Sequence, residues 1–365
     1  MPTFGFSNFN DLANSIGDAK SELTSFLPDK KLSRDQIDRL AAEASDVVYN
    51  LFKTAGDNPA NSSRIFPNDA IVPVDHFTSA AALVGAPMGY RIAASWNDNA
   101  QNEAKRGVFT ALYEPNTYGQ PVIFAFKGTV TRDDWKEDLF HQGGTQLQSV
   151  FRMLSPRNSA GATVYKSLLK RLESGQDVLI TGHSLGGGLA QATAYLLQKD
   201  LDDYRRHEIA QGREPKPGNL HLVTFNALGG QRTLKVFAKA FPKDREITPI
   251  LYKGTRLESS PIDSQIDDAA VLSLQPRNYA YPGDPVSPLF DHIGPKLIVS
   301  KKEPKRKVTG IAEASAHMYT ALGRLRLAGG FAPSVLNSIH DKVSEAVYDH
   351  SIKLIRTAID SDFRP

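Results

Sequence analysis

The chain has 365 residues, of which 41% are hydrophobic and 23% charged, with a formal net charge of +3 and no cysteine. That is ordinary globular composition, long enough to bury a substantial core and not basic enough for a nucleic-acid binder, so no nucleic-acid partner is expected. Without cysteine, disulfides, thiolate metal sites and a thiol nucleophile are excluded.

Residues 1–32 mix Gly, Ser, Asn and Asp with scattered Phe and carry neither a basic leader nor an apolar stretch. No window holds the 18 or so apolar residues of a membrane span. The expectation is a cytoplasmic protein, or one secreted by a route that needs no signal peptide. Ser33-Arg-Asp-Gln36 is a capping-box pattern, and Ile37, Leu40, Ala41, Ala44, Val48 and Leu51 follow at helical spacing, which predicts a helix over about 34–54. Residues 55–75 read as loop. Strands are expected at Arg91–Ser95, Gly107–Tyr113, Val122–Phe126, Val178–Ile180, Leu220–Phe225 and Leu297–Ser300, with a helix over Thr163–Leu172 between two of them. Residues 250–275 read as an insertion and about 333–360 as one or two amphipathic helices. Strands separated by helices predict an α/β fold with a mostly parallel central sheet covered by helices, and helical extensions at both ends. The organisation expected is 1–75 as lead-in and helix, 76–325 as the α/β domain, and 326–365 as a C-terminal helical extension.

The richest stretch is residues 177–198, DVLITGHSLGGGLAQATAYLLQ. A short apolar strand, then Gly182-His-Ser-Leu-Gly186, then a helix-compatible run is the setting of a nucleophile elbow. Ser184 is the candidate nucleophile. A serine hydroxyl needs a base, and the base needs a carboxylate to orient it, here in the chain order Ser, Asp or Glu, His. Asp284, in the turn Tyr281-Pro-Gly-Asp-Pro-Val286, is the candidate acid. His317, before an apolar helix, and His292, just before the strand at 297, are the two candidate bases. His183, adjoining the serine, reads as structural. An oxyanion hole needs two backbone N–H groups. Leu185 supplies one and Thr129, at the end of strand 122–126, is the candidate for the other.

These pieces together resemble the class 3 lipase family, the fungal triacylglycerol lipase-like group of α/β-hydrolases. Phe126-Lys-Gly-Thr129 with Asp134-Trp-Lys-Glu-Asp-Leu139 resembles its oxyanion element, Gly182-His-Ser-Leu-Gly-Gly187 its elbow, Asp284-Pro-Val its acid element, and His292-Ile-Gly294 a His-x-Gly element that is not the base. The family often has Arg where Lys127 stands. The resemblance implies Ser184 as nucleophile, Asp284 as acid, His317 as base, His292 as the alternative base, and Thr129 and Leu185 as oxyanion donors. The spacings fit: 55 residues from Thr129 to Ser184, 100 from Ser184 to Asp284 and 33 from Asp284 to His317. It implies a lid over about 130–160, carrying Trp135, Leu139, Phe140, Val150, Phe151, Met153 and Leu154, and an α/β-hydrolase that needs no cofactor and no metal.

The activity expected is hydrolysis of carboxylic esters of lipids, by a lipase or phospholipase A-type enzyme, through an acyl-serine. A basic run, Lys301, Lys302, Lys305, Arg306 and Lys307, suits anionic headgroups at a membrane surface and favours phospholipid. The competing readings are an exported, toxin-like bacterial phospholipase with a partner-binding tail, and a hydrolase-fold binding protein without activity. Nothing in the sequence speaks to oligomeric state.

Overall fold

The computed structural model describes residues 31–56, 72–73, 85–97, 108–128, 144–153, 163–240, 251–252, 255–256, 266–281, 284, 286–287 and 290–299. The expected C-terminal helices and the basic run at 301–307 lie outside these residues.

Helix α1 (Arg34–Gly56) begins on the expected capping box. The Ser33 N–H donates to Gln36 Oε1 (2.8 Å) and the Gln36 N–H donates to Ser33 Oγ (3.3 Å), so each end of the motif satisfies the other. Strands β1 (Val72–Pro73), β2 (Tyr90–Asn97), β3 (Phe109–Pro115) and β4 (Val122–Phe126) come next, then helices α2 (Gly144–Arg152) and α3 (Val164–Glu173). Thr163 caps α3 through its side chain. Strand β5 (Val178–His183) runs into α4 (Leu185–Ala210), followed by β6 (Leu220–Phe225) and α5 (Gly230–Ala240). Segment 250–275, read from sequence as an insertion, has structure of its own where it is described. Strands β7 (Leu251–Tyr252) and β8 (Thr255–Arg256) form a small hairpin, and α6 (Asp268–Leu274) starts on an Asp267 cap. Strands β9 (Arg277–Ala280) and β10 (Lys296–Ile298) complete the set.

Eight strands form one sheet in the order β1-β2-β3-β4-β5-β6-β9-β10. The first three pairings are antiparallel and the four from β4 to β10 are parallel. The parallel strands β4, β5 and β6 are mostly apolar because both faces of the sheet are covered there. Alternation sorts them. Val122, Phe124, Phe126, Val178, Ile180 and Leu222 join the core under α2, α3, α4 and α5. Ile123, Ala125, Leu179, Val223 and Phe225 face α1, meeting Ile37, Ala41, Ala44, Val48 and Leu51. A parallel sheet covered on both sides, with a sharp strand-to-helix turn at its centre, is the α/β-hydrolase fold.

Part of the expected lid is described, and it is buried. Leu147, Val150, Phe151 and Met153 belong to the core, where Phe151 stacks on Phe237 with ring centroids 5.5 Å apart. Trp135, Leu139, Phe140 and Leu154 lie outside the described residues. Among the described residues, no helix is long and apolar enough to cross a membrane.

Helix α1 is tied to the sheet by a polar seam as well as by its apolar face. Asp38, Ala41, Ser45 and Tyr49 fall on one stripe of the helix. The Asp38 carboxylate accepts from Arg277 Nε (2.5 Å) and from the Tyr279 hydroxyl (2.6 Å), both on β9. The Ser45 and Thr181 hydroxyls are hydrogen-bonded at 2.8 Å. Asp38 is fully buried, so truncating it strands a buried guanidinium. Asp38→Ala is expected to lower the unfolding free energy by about 3–5 kcal/mol, read by urea titration. A change below 1 kcal/mol or so would show that the seam contributes little.

Candidate active site

The C-terminal ends of β4, β5, β6 and β9 lie side by side on one edge of the sheet, with Phe126 opposite Gly182, His183 opposite Phe225, and Phe225 opposite Tyr279. Open α/β sheets present their ligand sites along this edge. Ser184 stands at its centre, between β5 and α4, and is partly exposed.

The Ser184 backbone has φ 57° and ψ −129°. A non-glycine residue rarely adopts a positive φ, at a cost of about 1–3 kcal/mol, and persists there only when its surroundings hold it. They do so here. The Ser184 N–H donates to the Phe225 carbonyl (3.1 Å), and the Ser184 carbonyl accepts from the N–H groups of Gly187 (3.0 Å) and Leu228 (3.0 Å). The result is a serine lifted out of the strand at the head of a 26-residue helix, whose N-terminal dipole favours negative charge nearby.

The glycines of the motif are there for close approach. A Cβ on Gly186 would lie 2.6 Å from the carbonyl oxygens of both Phe126 and Lys127, and one on Gly182 would lie 2.4 Å from the Gly186 carbonyl oxygen. Helix α4 therefore docks backbone to backbone against the end of β4. Beside it sits Gly128, where a Cβ would meet the Ser184 Cβ at 3.1 Å. The loop that leads to Thr129 thus starts alongside the serine. Thr129 itself lies outside the described residues.

Leu185 heads α4, where the first N–H groups have no acceptor within the helix and are available to a ligand. Its side chain joins Leu228 and Val286 in a small apolar cluster beside the serine.

His183 is buried, and burial pushes its imidazole down to about 3, so it is neutral at any working pH. Its Nδ1 lies 2.9 Å from the Tyr49 hydroxyl. This fits the structural part read from sequence.

Asp284 follows β9, two strands along the sheet from Ser184. Its carboxylate accepts from the Ser287 N–H (2.6 Å), and burial pushes it up to about 6. His292 lies in the same loop. Gln191 Nε2 donates to its Nδ1 (3.0 Å), and its Nε2–H donates to the Ser287 carbonyl (2.8 Å). Both ring nitrogens are engaged in this neutral tautomer, and burial keeps the ring's affinity for a proton low. The side chain of Gln191, on α4, also accepts from the Gly230 and Ile293 N–H groups (3.0 and 2.9 Å). Gln191, His292 and Ser287 thereby brace the turn that carries Asp284. Gln191 drew no attention in the sequence because it sits in a helix-forming run. His317 lies outside the described residues. Among the described residues, no group of three or more His, Asp or Glu side chains is placed to hold a metal ion.

Residues 84–202 match a phospholipase-like family, described as a Tle-like phospholipase domain. The match covers about a third of the chain, from just before β2 through most of α4, and includes Ser184. Over that span the chain carries a lipase- or phospholipase-like fold. A solved fungal lipase in complex with an inhibitor, reported as a model for interfacial activation, aligns with 54% of this chain and 73% of its own at 12% identity and a TM-score of 0.30. No curated protein matches the sequence significantly.

The docking of α4 is open to test. Gly186→Ala places a methyl group against two backbone carbonyls that cannot swing away. It is expected to lower stability by about 2–3 kcal/mol, read as the urea midpoint.

Proposed function

We propose that the protein is a serine hydrolase that cleaves carboxylic esters of lipids, with phospholipid the preferred class. The observation that carries the reading is Ser184 held at φ 57° and ψ −129° between β5 and α4, within a span that matches a phospholipase-like family. Strained backbone conformations of this kind concentrate at functional sites. The resemblance to class 3 lipases supplies the remaining roles.

In this reading the Ser184 Oγ attacks the ester carbonyl as His317 takes its proton. The Leu185 N–H and the Thr129 N–H hold the oxyanion. His317 then protonates the leaving alcohol, the acyl-serine forms, and a water activated by His317 releases the fatty acid. Asp284 orients His317 and stabilises its charged form. His292 is passed over as the base because both of its ring nitrogens are engaged, and it serves the Asp284 turn instead. The domain that does this work spans 76–325, and the basic run at 301–307 meets the anionic headgroups.

The deciding experiment is a panel of neutral glycerides and phospholipids offered to the wild type and to Ser184→Ala. Fatty-acid release is expected from phospholipid above glyceride, and Ser184→Ala is expected to lose at least ~10³-fold of it, together with labelling by a fluorophosphonate. Unchanged turnover in Ser184→Ala sinks the nucleophile assignment, and absence of turnover in the wild type favours a binding protein on a hydrolase scaffold.

The acid gives a second test. Asp284 must be ionised to orient the base, and its raised pKa puts that ionisation near pH 6. In the wild type, kcat/KM should rise with pH through an acidic limb near 6 that belongs to the coupled acid–base pair. Asp284→Asn should lower kcat by roughly 10³–10⁴-fold with folding intact. A variant that keeps its rate shows that Asp284 only shapes its turn.

A further inference from the structure

The loop that begins at Gly128 is held by two side chains that the reaction scheme above does not use. The Gly128 N–H donates to the Tyr49 hydroxyl (2.9 Å), and the same hydroxyl is hydrogen-bonded to His183 Nδ1 (2.9 Å). Tyr49 lies on α1, 79 residues from Gly128 and 134 from His183, and is 1% exposed. One buried hydroxyl therefore joins the end of β4 to the residue before the nucleophile. The carbonyl of Gly128 is held from the other side: Lys127 Nζ donates to it at 2.8 Å. Lys127 is 2% exposed, and its ammonium sits 4.5 Å from the centre of the Phe52 ring, also on α1. The Lys127 N–H donates to the Phe109 carbonyl (3.0 Å), and Phe52 packs edge-on against the Phe109 ring.

Two consequences follow from peptide geometry. The Gly128 N–H is taken by Tyr49, so it cannot serve an oxyanion. The Gly128 carbonyl belongs to the same rigid plane as the amide that follows it, and in a trans peptide those two groups point opposite ways. A clamp on the carbonyl is thus a clamp on the direction of the next N–H, the donor proposed for Thr129.

We propose that Tyr49 and Lys127 are positioning residues for the oxyanion hole: together they fix both polar groups of Gly128 beside Ser184, and helix α1 is the platform from which they do it. The inference rests on the serine hydrolase reading. It assigns α1 a part in transition-state stabilisation. It also gives Lys127, where the resembling family often has Arg, the work of a hydrogen-bond donor held on an aromatic ring. The gain lies in pre-organisation, since a donor aimed before the reaction needs no reorganisation during it.

The test uses the full chain with p-nitrophenyl butyrate, a fluorophosphonate to titrate active sites, and an alkyl boronic acid as a tetrahedral mimic. Tyr49→Phe keeps the ring and removes only the hydroxyl. It is expected to lower kcat per titrated site by about 10–100-fold, to leave KM within about twofold, and to weaken the boronic acid in step with kcat. Lys127→Met should behave alike, and Lys127→Arg should restore most of the rate, because a guanidinium can still donate to the carbonyl. If fewer sites titrate but each titrated site turns over at the wild-type rate, the residues only help the protein fold and the inference is overturned. A Tyr49→Phe variant with unchanged kcat overturns it as well, even where Lys127→Met fails to fold. A wild type that neither titrates nor turns over overturns the hydrolase reading, and this inference with it. An active wild type with indifferent variants overturns the inference alone.

Discussion

No side-chain atom fits between the first turn of α4 and the end of β4. Gly186 approaches the Phe126 and Lys127 carbonyls so closely that a single methyl group would be forced into both, and Gly182 faces Gly186 under the same restriction. This backbone-to-backbone contact sets the angle at which α4 leaves the sheet, and the backbone of Ser184 takes up the difference. Its unfavourable φ is held in place by what surrounds it at the ends of β4, β5 and β6. The N–H is anchored on β6, the carbonyl receives the start of α4 and the loop after β6, and β4 closes the far side. Interiors packed at this density do not relax by small amounts, so the strained serine is the relaxed answer for the assembly as a whole.

Around that centre the structure spends its buried polar groups on loops. Tyr49 and Lys127 secure the chain after β4, while Gln191 and His292 secure the chain after β9. Tyr49 and Gln191 come from opposite faces of the sheet, from α1 on one and α4 on the other. Each strand-end that bears a candidate group is tied to a long helix that cannot tilt without disturbing a core. The His183 imidazole next to Ser184 stays uncharged, so the serine has no titrating neighbour on its own strand.

Much of this was legible in the chain. Val122–Phe126 and Leu220–Phe225 were recognisable to the residue because strands covered on both faces are mostly apolar. The capping box located α1, and the glycine spacing located the elbow. Strand β9 was not visible. Its sequence, Arg-Asn-Tyr-Ala, looks like a surface segment, and it is buried only because Arg277 and Tyr279 meet Asp38 while Asn278 meets Thr224 and the Ile293 carbonyl. Tyr49 was hidden for the opposite reason, since an aromatic on an apolar stripe reads as packing. The engagement of both His292 nitrogens depends on Gln191, 101 residues away, and no local pattern carries that information.

The seam between α1 and the sheet also has a meaning in time. The partners of Asp38, Ser45 and Tyr49 come 79 to 241 residues later in the chain. At ribosomal speeds of about 5–20 residues per second, Asp38 waits roughly 12–50 s before its β9 partners are made. Through that interval the apolar face of α1 gains its cover in stages, from Ile123 and Ala125 on β4, then Leu179 on β5, then Val223 and Phe225 on β6, while Asp38 still lacks its partners. The same delay governs the elbow: translated without its sheet neighbours it has nothing to hold Ser184 in its strained shape, so that backbone geometry arrives only with the closed fold.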